Sequence, residues 1–127
     1  MLGRKRILAV DPDEFVLIQL ERLLEDAGFD TTTTWDARHA LSLIGGEDFD
    51  CVLLCDHPPE VNAKDLLIRM RNLGRFPSCI VLQPAAAIHA AEFTQLGALD
   101  VVCRWSFDDL LHAIHLHLGP KTLAATA

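Results

Sequence analysis

The chain has 127 residues, the size of one ordinary domain, and 50% of them are hydrophobic, enough to bury a core without disulfide staples. A formal net charge of −7, with no lysine or arginine cluster interleaved with aromatics, argues against a phosphate-tracking surface, so no direct nucleic-acid partner is expected. No apolar run approaches the roughly 20 residues of a membrane-spanning helix, and Met1-Leu2-Gly3-Arg4-Lys5-Arg6 leads into a strand without a cleavage-type segment, so a cytoplasmic protein with no membrane partner is expected.

The first predicted element is a strand, Ile7-Leu8-Ala9-Val10, which stops at Asp11-Pro12-Asp13. Val16, Leu17, Leu20, Leu23, Leu24 and Ala27 then recur at helical spacing, and Gly28 stands where a left-handed terminating residue belongs. Phe29 to Thr34 is β-branched and polar enough for an outer strand, and Asp36 caps a helix ended by Gly45-Gly46. Cys51-Val52-Leu53-Leu54-Cys55 is a second apolar run, again stopping at an acid, Asp56. After a loop broken by Pro58 and Pro59, Asn62 caps a helix bearing Leu66, Leu67 and Met70.

Cys79 to Leu82 reads as a fourth strand, Ala85 to Leu96 as a fourth helix closed by Gly97, and Leu99 to Cys103 as a fifth strand. Ser106, with Asp109 three residues on, resembles a capping box for a last helix ending before Gly119-Pro120. Short apolar runs bounded by turn residues suit strands buried on both faces of a parallel sheet, whose ligands collect at the carboxyl ends of the strands. Five βα units in order therefore predict an α/β single domain over 1–127, an open parallel sheet covered by helices on both faces. The core is expected over about 6–118, with 119–127 a frayed tail.

Cys51, Cys55, Cys79 and Cys103 lie within or at the end of apolar runs with no C-x-x-C pair, the pattern of reduced, buried thiols. His112, His115 and His117 share the last helix, yet no Cys or acid pair with zinc spacing accompanies them, so a polar helix face is expected and no metal site. No phosphate loop, nucleophile elbow or dinucleotide fingerprint is present, and no enzyme activity is expected.

Together, Ile7-Leu8-Ala9-Val10-Asp11, Leu23-Leu24-Glu25-Asp26-Ala27-Gly28-Phe29, Asp50-Cys51-Val52-Leu53-Leu54 with Pro59 beyond, and Gly97-Ala98-Leu99-Asp100 resemble the receiver domain of bacterial response regulators. The resemblance implies a flavodoxin-like doubly wound fold, with strand order 2-1-3-4-5. It also implies an acceptor aspartate at the end of the third strand, two metal-binding acids after the first, a hydroxyl residue ending the fourth and Lys-Pro ending the fifth. A carboxylate attacking phosphorus needs those partners, because its repulsion and the developing oxygen charge must be neutralised.

Here that pocket is degenerate. Placed without gaps from Pro59, Cys55 takes the acceptor position and Pro12 the second acid, while Gln83, Arg104 and Trp105 replace the hydroxyl, lysine and proline. Val101 occupies the usual aromatic switch position, and Asp11 alone keeps its family identity. Mg²⁺ wants oxygen ligands, so at most weak Mg²⁺ binding and no required cofactor are expected. Asp13 is read as the start of the first helix. The family's cis Lys-Pro bond would cost about 2.5 to 4 kcal/mol with tryptophan in place of proline, so a trans bond before Trp105 is expected. An Asp11 to Arg104 ion pair is expected to close the pocket.

These losses predict a two-component signalling domain that works by protein contacts without phosphorylation. Its partner would be another protein or an output domain, and a homodimer would use the face of helix 4, strand 5 and helix 5, with Trp105, Val101, Ala87 and Ala91 as interface residues. Two alternatives stay open. Asp56 would be the phosphoacceptor after a one-residue slip of the third strand, and Cys55 would be a thiol redox sensor if its thiolate were favoured.

Overall fold

The computed structural model describes residues 3–84 and 90–119. Five strands, β1 (Arg6–Val10), β2 (Asp30–Thr34), β3 (Cys51–Cys55), β4 (Ser78–Gln83) and β5 (Asp100–Cys103), alternate with α1 (Glu14–Asp26), α2 (Ala37–Gly46), α3 (Ala63–Asn72), α4 (Ala90–Gln95) and α5 (Phe107–Leu118). All pairings are parallel and the order is β2-β1-β3-β4-β5, the predicted topology.

Every residue of β3 is buried because the sheet is covered on both sides. Side chains alternate faces along a strand. One core therefore gathers Ile7, Ala9, Leu53, Ile80 and Leu82 beneath α1 and α5, and the other gathers Leu8, Val10, Val52, Leu54 and Val81 beneath α2 and α3. Each of the valine, leucine and isoleucine side chains contributes on the order of 1.5–3 kcal/mol by leaving water, the main term holding the layers together. β2 is polar because it is an edge: only Thr34 of its five residues is buried.

The helices start where their caps were read. Asp13, Asp36 and Asn62 accept from the amides of Phe15, Arg38 and Asp65, satisfying donors that the first helical turn leaves free. Gly97 has φ +109°, and a Cβ there would stand 2.6 Å from the Phe76 ring, so only glycine makes the turn from α4 into β5.

Three sequence readings are corrected. Ser106 makes no side-chain bond to the helix backbone; its hydroxyl donates to Asp109 Oδ2 at 2.6 Å, so the two groups satisfy each other rather than the free amides. Gly45 and Gly46 lie inside the last turn of α2, and the chain turns at Glu47 in extended conformation. Cys103 is exposed, unlike Cys51, Cys55 and Cys79, because β5 is an edge strand and that position faces outward at its end. The part of the fourth helix read at Ala85 to His89, including Ala87, lies outside the described residues. Among the described residues no helix is long and apolar enough to cross a membrane.

Candidate functional site

The carboxyl ends of β1, β3, β4 and β5 meet at one edge of the sheet. β1 pairs with β3 so that Val10 faces Leu54, which brings Asp11, the next residue, level with Cys55. Across the sheet, Cys55 faces Leu82. β5 is prolonged by one bond, Arg104 N–H donating to the Gln83 carbonyl at 2.7 Å, and a turn follows in which Ser106 N–H donates to Cys103 O at 3.0 Å. That turn aims Arg104 back over the strand ends.

Arg104 and Asp11 form a two-pronged ion pair. Nε donates to Oδ2 at 2.8 Å and Nη2 to Oδ1, and the two side chains are only 8% and 0% exposed. The same Oδ1 accepts from Asp13 N–H at 2.9 Å, so both oxygens of Asp11 are engaged. Hydrogen bonding to Asp11 raises the Arg104 pKa despite burial, keeping the pair charged. Asp11 and Arg104 come from opposite ends of the chain and of the pocket, so the guanidinium roofs β3 and β4. The expected closure is therefore present.

Cys55 lies beneath that roof, fully buried. Burial first, and then the Asp11 carboxylate, push its thiol up to about 12 against the opposing pull of Arg104. It is thus a neutral thiol at physiological pH, without the thiolate character that oxidant sensing requires. Asp56, next in the chain, is turned away: its Oδ1 accepts from Ala63 N–H at 3.2 Å at the start of α3, and its own N–H donates to Leu82 O at 2.8 Å. The β3 register carries no slip at this point.

The geometry corrects one pocket assignment. Leu82, level with Cys55 and in the core with Leu53 and Ile80, is the β4 residue on the pocket face; Gln83 must turn to the opposite side by alternation, and only its carbonyl meets Arg104. Leu82, and not Gln83, therefore stands beside Cys55 on that face. Gln83 Oε1 is buried with no partner among the described residues. Pro12 is half-buried and contributes no donor or acceptor side chain, while exposed Asp13 serves as the α1 cap.

These residues do not fit a Mg²⁺ ion. Of the three positions that the resemblance assigns to the metal, Asp11 is held by Arg104, Pro12 offers no side-chain ligand and Cys55 is a protonated thiol, whereas the ion wants several oxygens in a near-octahedral shell.

On the rim, the Arg104–Trp105 peptide is trans, as expected. Trp105 is 54% exposed, with the Arg104 guanidinium carbon 5.3 Å from its ring centre. Val101 is half-buried against the α2/α3-side core and Ala91 is exposed. The α5 histidines separate: His117 faces Asp100 at 3.3 Å, His115 stacks near Phe29 at 6.2 Å, and His112 is exposed.

No family model matches the chain. It is 31% identical over 115 residues to the transcriptional regulatory protein FixJ of Bradyrhizobium diazoefficiens, covering 90% of this chain and 56% of the relative. The chain thus spans little more than half of that protein's length. A CheY-like response regulator receiver domain from Methanospirillum hungatei shares 26% identity at a TM-score of 0.81, covering 91% of this chain and 94% of that one. The receiver domain of sensor histidine kinase PA1611 from Pseudomonas aeruginosa, solved with a magnesium ion coordinated in its active site cleft, shares the fold at TM-score 0.78 and 20% identity, covering 92% of this chain and 99% of that one.

Proposed function

The chain belongs to the response-regulator receiver family of two-component signalling, and from that premise we propose that it signals without accepting a phosphoryl group. The observation that carries this reading is the occupation of Asp11 by Arg104: the family's surviving acid is neutralised inside the protein. The thiol at Cys55 is held protonated under the same pair, and Asp56 points into the start of α3.

In this reading the domain is a preformed shape rather than an enzyme or a chemically reset switch, and it requires no cofactor. It acts by binding a protein partner or a linked output domain in bacterial signalling. Trp105, exposed beside the pocket on the α4–β5–α5 face, is the anchor for that contact, since a desolvated tryptophan contributes heavily at interface centres. The same face would serve a homodimer. With no phosphate to bias the domain, any conformational shift comes from a partner's preference for one state.

The test is incubation with acetyl phosphate and Mg²⁺ followed by intact mass measurement. The expected result is an unchanged mass. A phosphate-sized adduct that disappears in Asp56→Asn would replace this reading with an Asp56 acceptor.

A further inference from the structure

β2 forms one edge of the sheet, so no strand lies along its outer side. An open edge offers a row of unpaired backbone groups to a strand of another molecule, and proteins blunt such edges with charges, prolines or bulges. Apart from Asp30 at its start, β2 has none of these. Four threonines follow, all β-branched and good strand formers, in unbroken register with β1 from Arg6↔Asp30 to Val10↔Thr34.

Backbone groups alternate sides along a strand. Asp30 N–H donates to Lys5 O at 2.9 Å and Thr34 O accepts from Asp11 N–H at 3.2 Å, so Asp30, Thr32 and Thr34 face β1 while Thr31 and Thr33 face outward. Of the outward amides, Thr31 N–H is taken: it donates to Glu25 Oε2 at 2.9 Å, a bond from the strand to the last turn of α1. The turn between them sets this up. Gly28 N–H donates to Glu25 O and Phe29 N–H to Leu24 O, both at 3.0 Å, and the chain doubles back tightly enough to lay Glu25 beside Thr31. Arg4 holds the carboxylate from its other side, with Nη1 at 3.6 Å from Oε1.

A second copy of β2 fits this edge better than an arbitrary strand does, because the outward groups are self-complementary. With the strands antiparallel about a two-fold axis at Thr32, Thr31 of each copy would exchange both backbone bonds with Thr33 of the other. Half of those bonds need the Thr31 amide. We infer that Glu25 guards the β2 edge: by occupying the Thr31 amide it keeps a second copy of this chain from extending the sheet. The guard stands at the opposite edge from β5 and works whether or not the pocket accepts phosphate.

The test is sedimentation of the whole chain over a concentration series at physiological ionic strength, beside Glu25→Ala and Glu25→Gln, with amide hydrogen exchange read residue by residue. The Glu25 side chain is 42% exposed, so neither change disturbs the core. Glu25→Ala should self-associate roughly tenfold or more tightly than the parent, with exchange slowed at Thr31 and Thr33. Glu25→Gln keeps an acceptor oxygen without the charge and should behave as the parent. Adding Thr33→Pro to Glu25→Ala removes the other outward amide, at an edge position where proline is tolerated, and should abolish the gain. Glu25→Ala no more associated than the parent, or exchange slowed at β5 instead of β2, would overturn the assignment. Association of Glu25→Gln as strong as that of Glu25→Ala would do the same, making charge rather than the occupied amide the barrier. In the dilute parent the Thr31 amide should exchange more slowly than that of Thr33, and equal rates would contradict the guard without recourse to any variant.

Discussion

Removing one partner of the Asp11–Arg104 pair should unfold a large share of this domain's stability, and removing both should not. Asp11→Ala leaves a guanidinium, 8% exposed in the intact pair, facing the Trp105 ring and the strand ends, with no hydrogen-bonded acid and only the electrostatic pull of Asp13. Arg104→Leu leaves a fully buried carboxylate with a single donor, the Asp13 amide. An uncompensated buried charge costs about 3–5 kcal/mol, and the two-pronged geometry with near-complete burial places both variants toward the upper half of that range. Domains of this kind carry on the order of 5–15 kcal/mol in total, so the variants should still fold in the cold but melt roughly 15 °C lower. The double variant Asp11→Leu/Arg104→Met fills similar volume with apolar atoms and should lie within about 1–2 kcal/mol of the parent. Urea unfolding of all four proteins measures the coupling directly. Single costs near those of an exposed ion pair, under about 1 kcal/mol, or strict additivity in the double variant, would show that the pair is not the closed, dry contact described.

The remaining expectations concern the pocket chemistry and the thiols. Cys55→Asp alone should stay unmodified by acetyl phosphate and Mg²⁺ in intact mass, because Arg104 still holds Asp11 and Pro12 still offers no ligand; robust phosphorylation of that single variant would contradict the geometry. In native protein, Cys103 should react with a thiol reagent well before Cys51, Cys55 or Cys79, a ranking read by peptide mass mapping after short labelling, and early labelling of Cys55 would revive the redox sensor. Stability should be level below the ordinary thiol pKa near 9 and fall as pH rises toward 12, because Cys55 and Cys79, raised by burial, stay protonated in the fold while their unfolded counterparts ionise. Each such thiol contributes a slope of about 1.4 kcal/mol per pH unit, so chemical denaturation at pH 8 and pH 10 should differ, and Cys79→Val should reduce the difference.

Much of this molecule was legible in its residues, and the misses share a cause. β1 and β3 announce themselves as unbroken apolar runs because both of their faces are covered, and the caps at Asp13, Asp36 and Asn62 are local chemistry that needs no tertiary knowledge. The Asp11–Arg104 pair was readable as well, since two opposite charges at strand ends on the same edge of the sheet have few other ways to be satisfied once buried.

Gln83 was misplaced by one residue because a short strand followed by proline and alanines gives no internal mark of register, and one residue reverses the face. Exposure of Cys103 depends on β5 being an edge, which composition does not state. Similarly, Phe15 and Ile18 look like ordinary members of an amphipathic helix. Only the packed structure shows that Val16, Leu17, Leu20 and Leu24 already fill the core side and leave those two over.

The proposed function rests on Arg104 occupying Asp11 and so closing the pocket to metal and phosphate. It is tested most directly by following the Arg104 side-chain Nε–H in a ¹⁵N spectrum while millimolar MgCl₂ is added. The expected result is a slowly exchanging signal, absent in Asp11→Asn, that does not move with Mg²⁺. Release of that proton to solvent, with saturable Mg²⁺-dependent shifts at Asp11, Asp13 and Asp56, would contradict it.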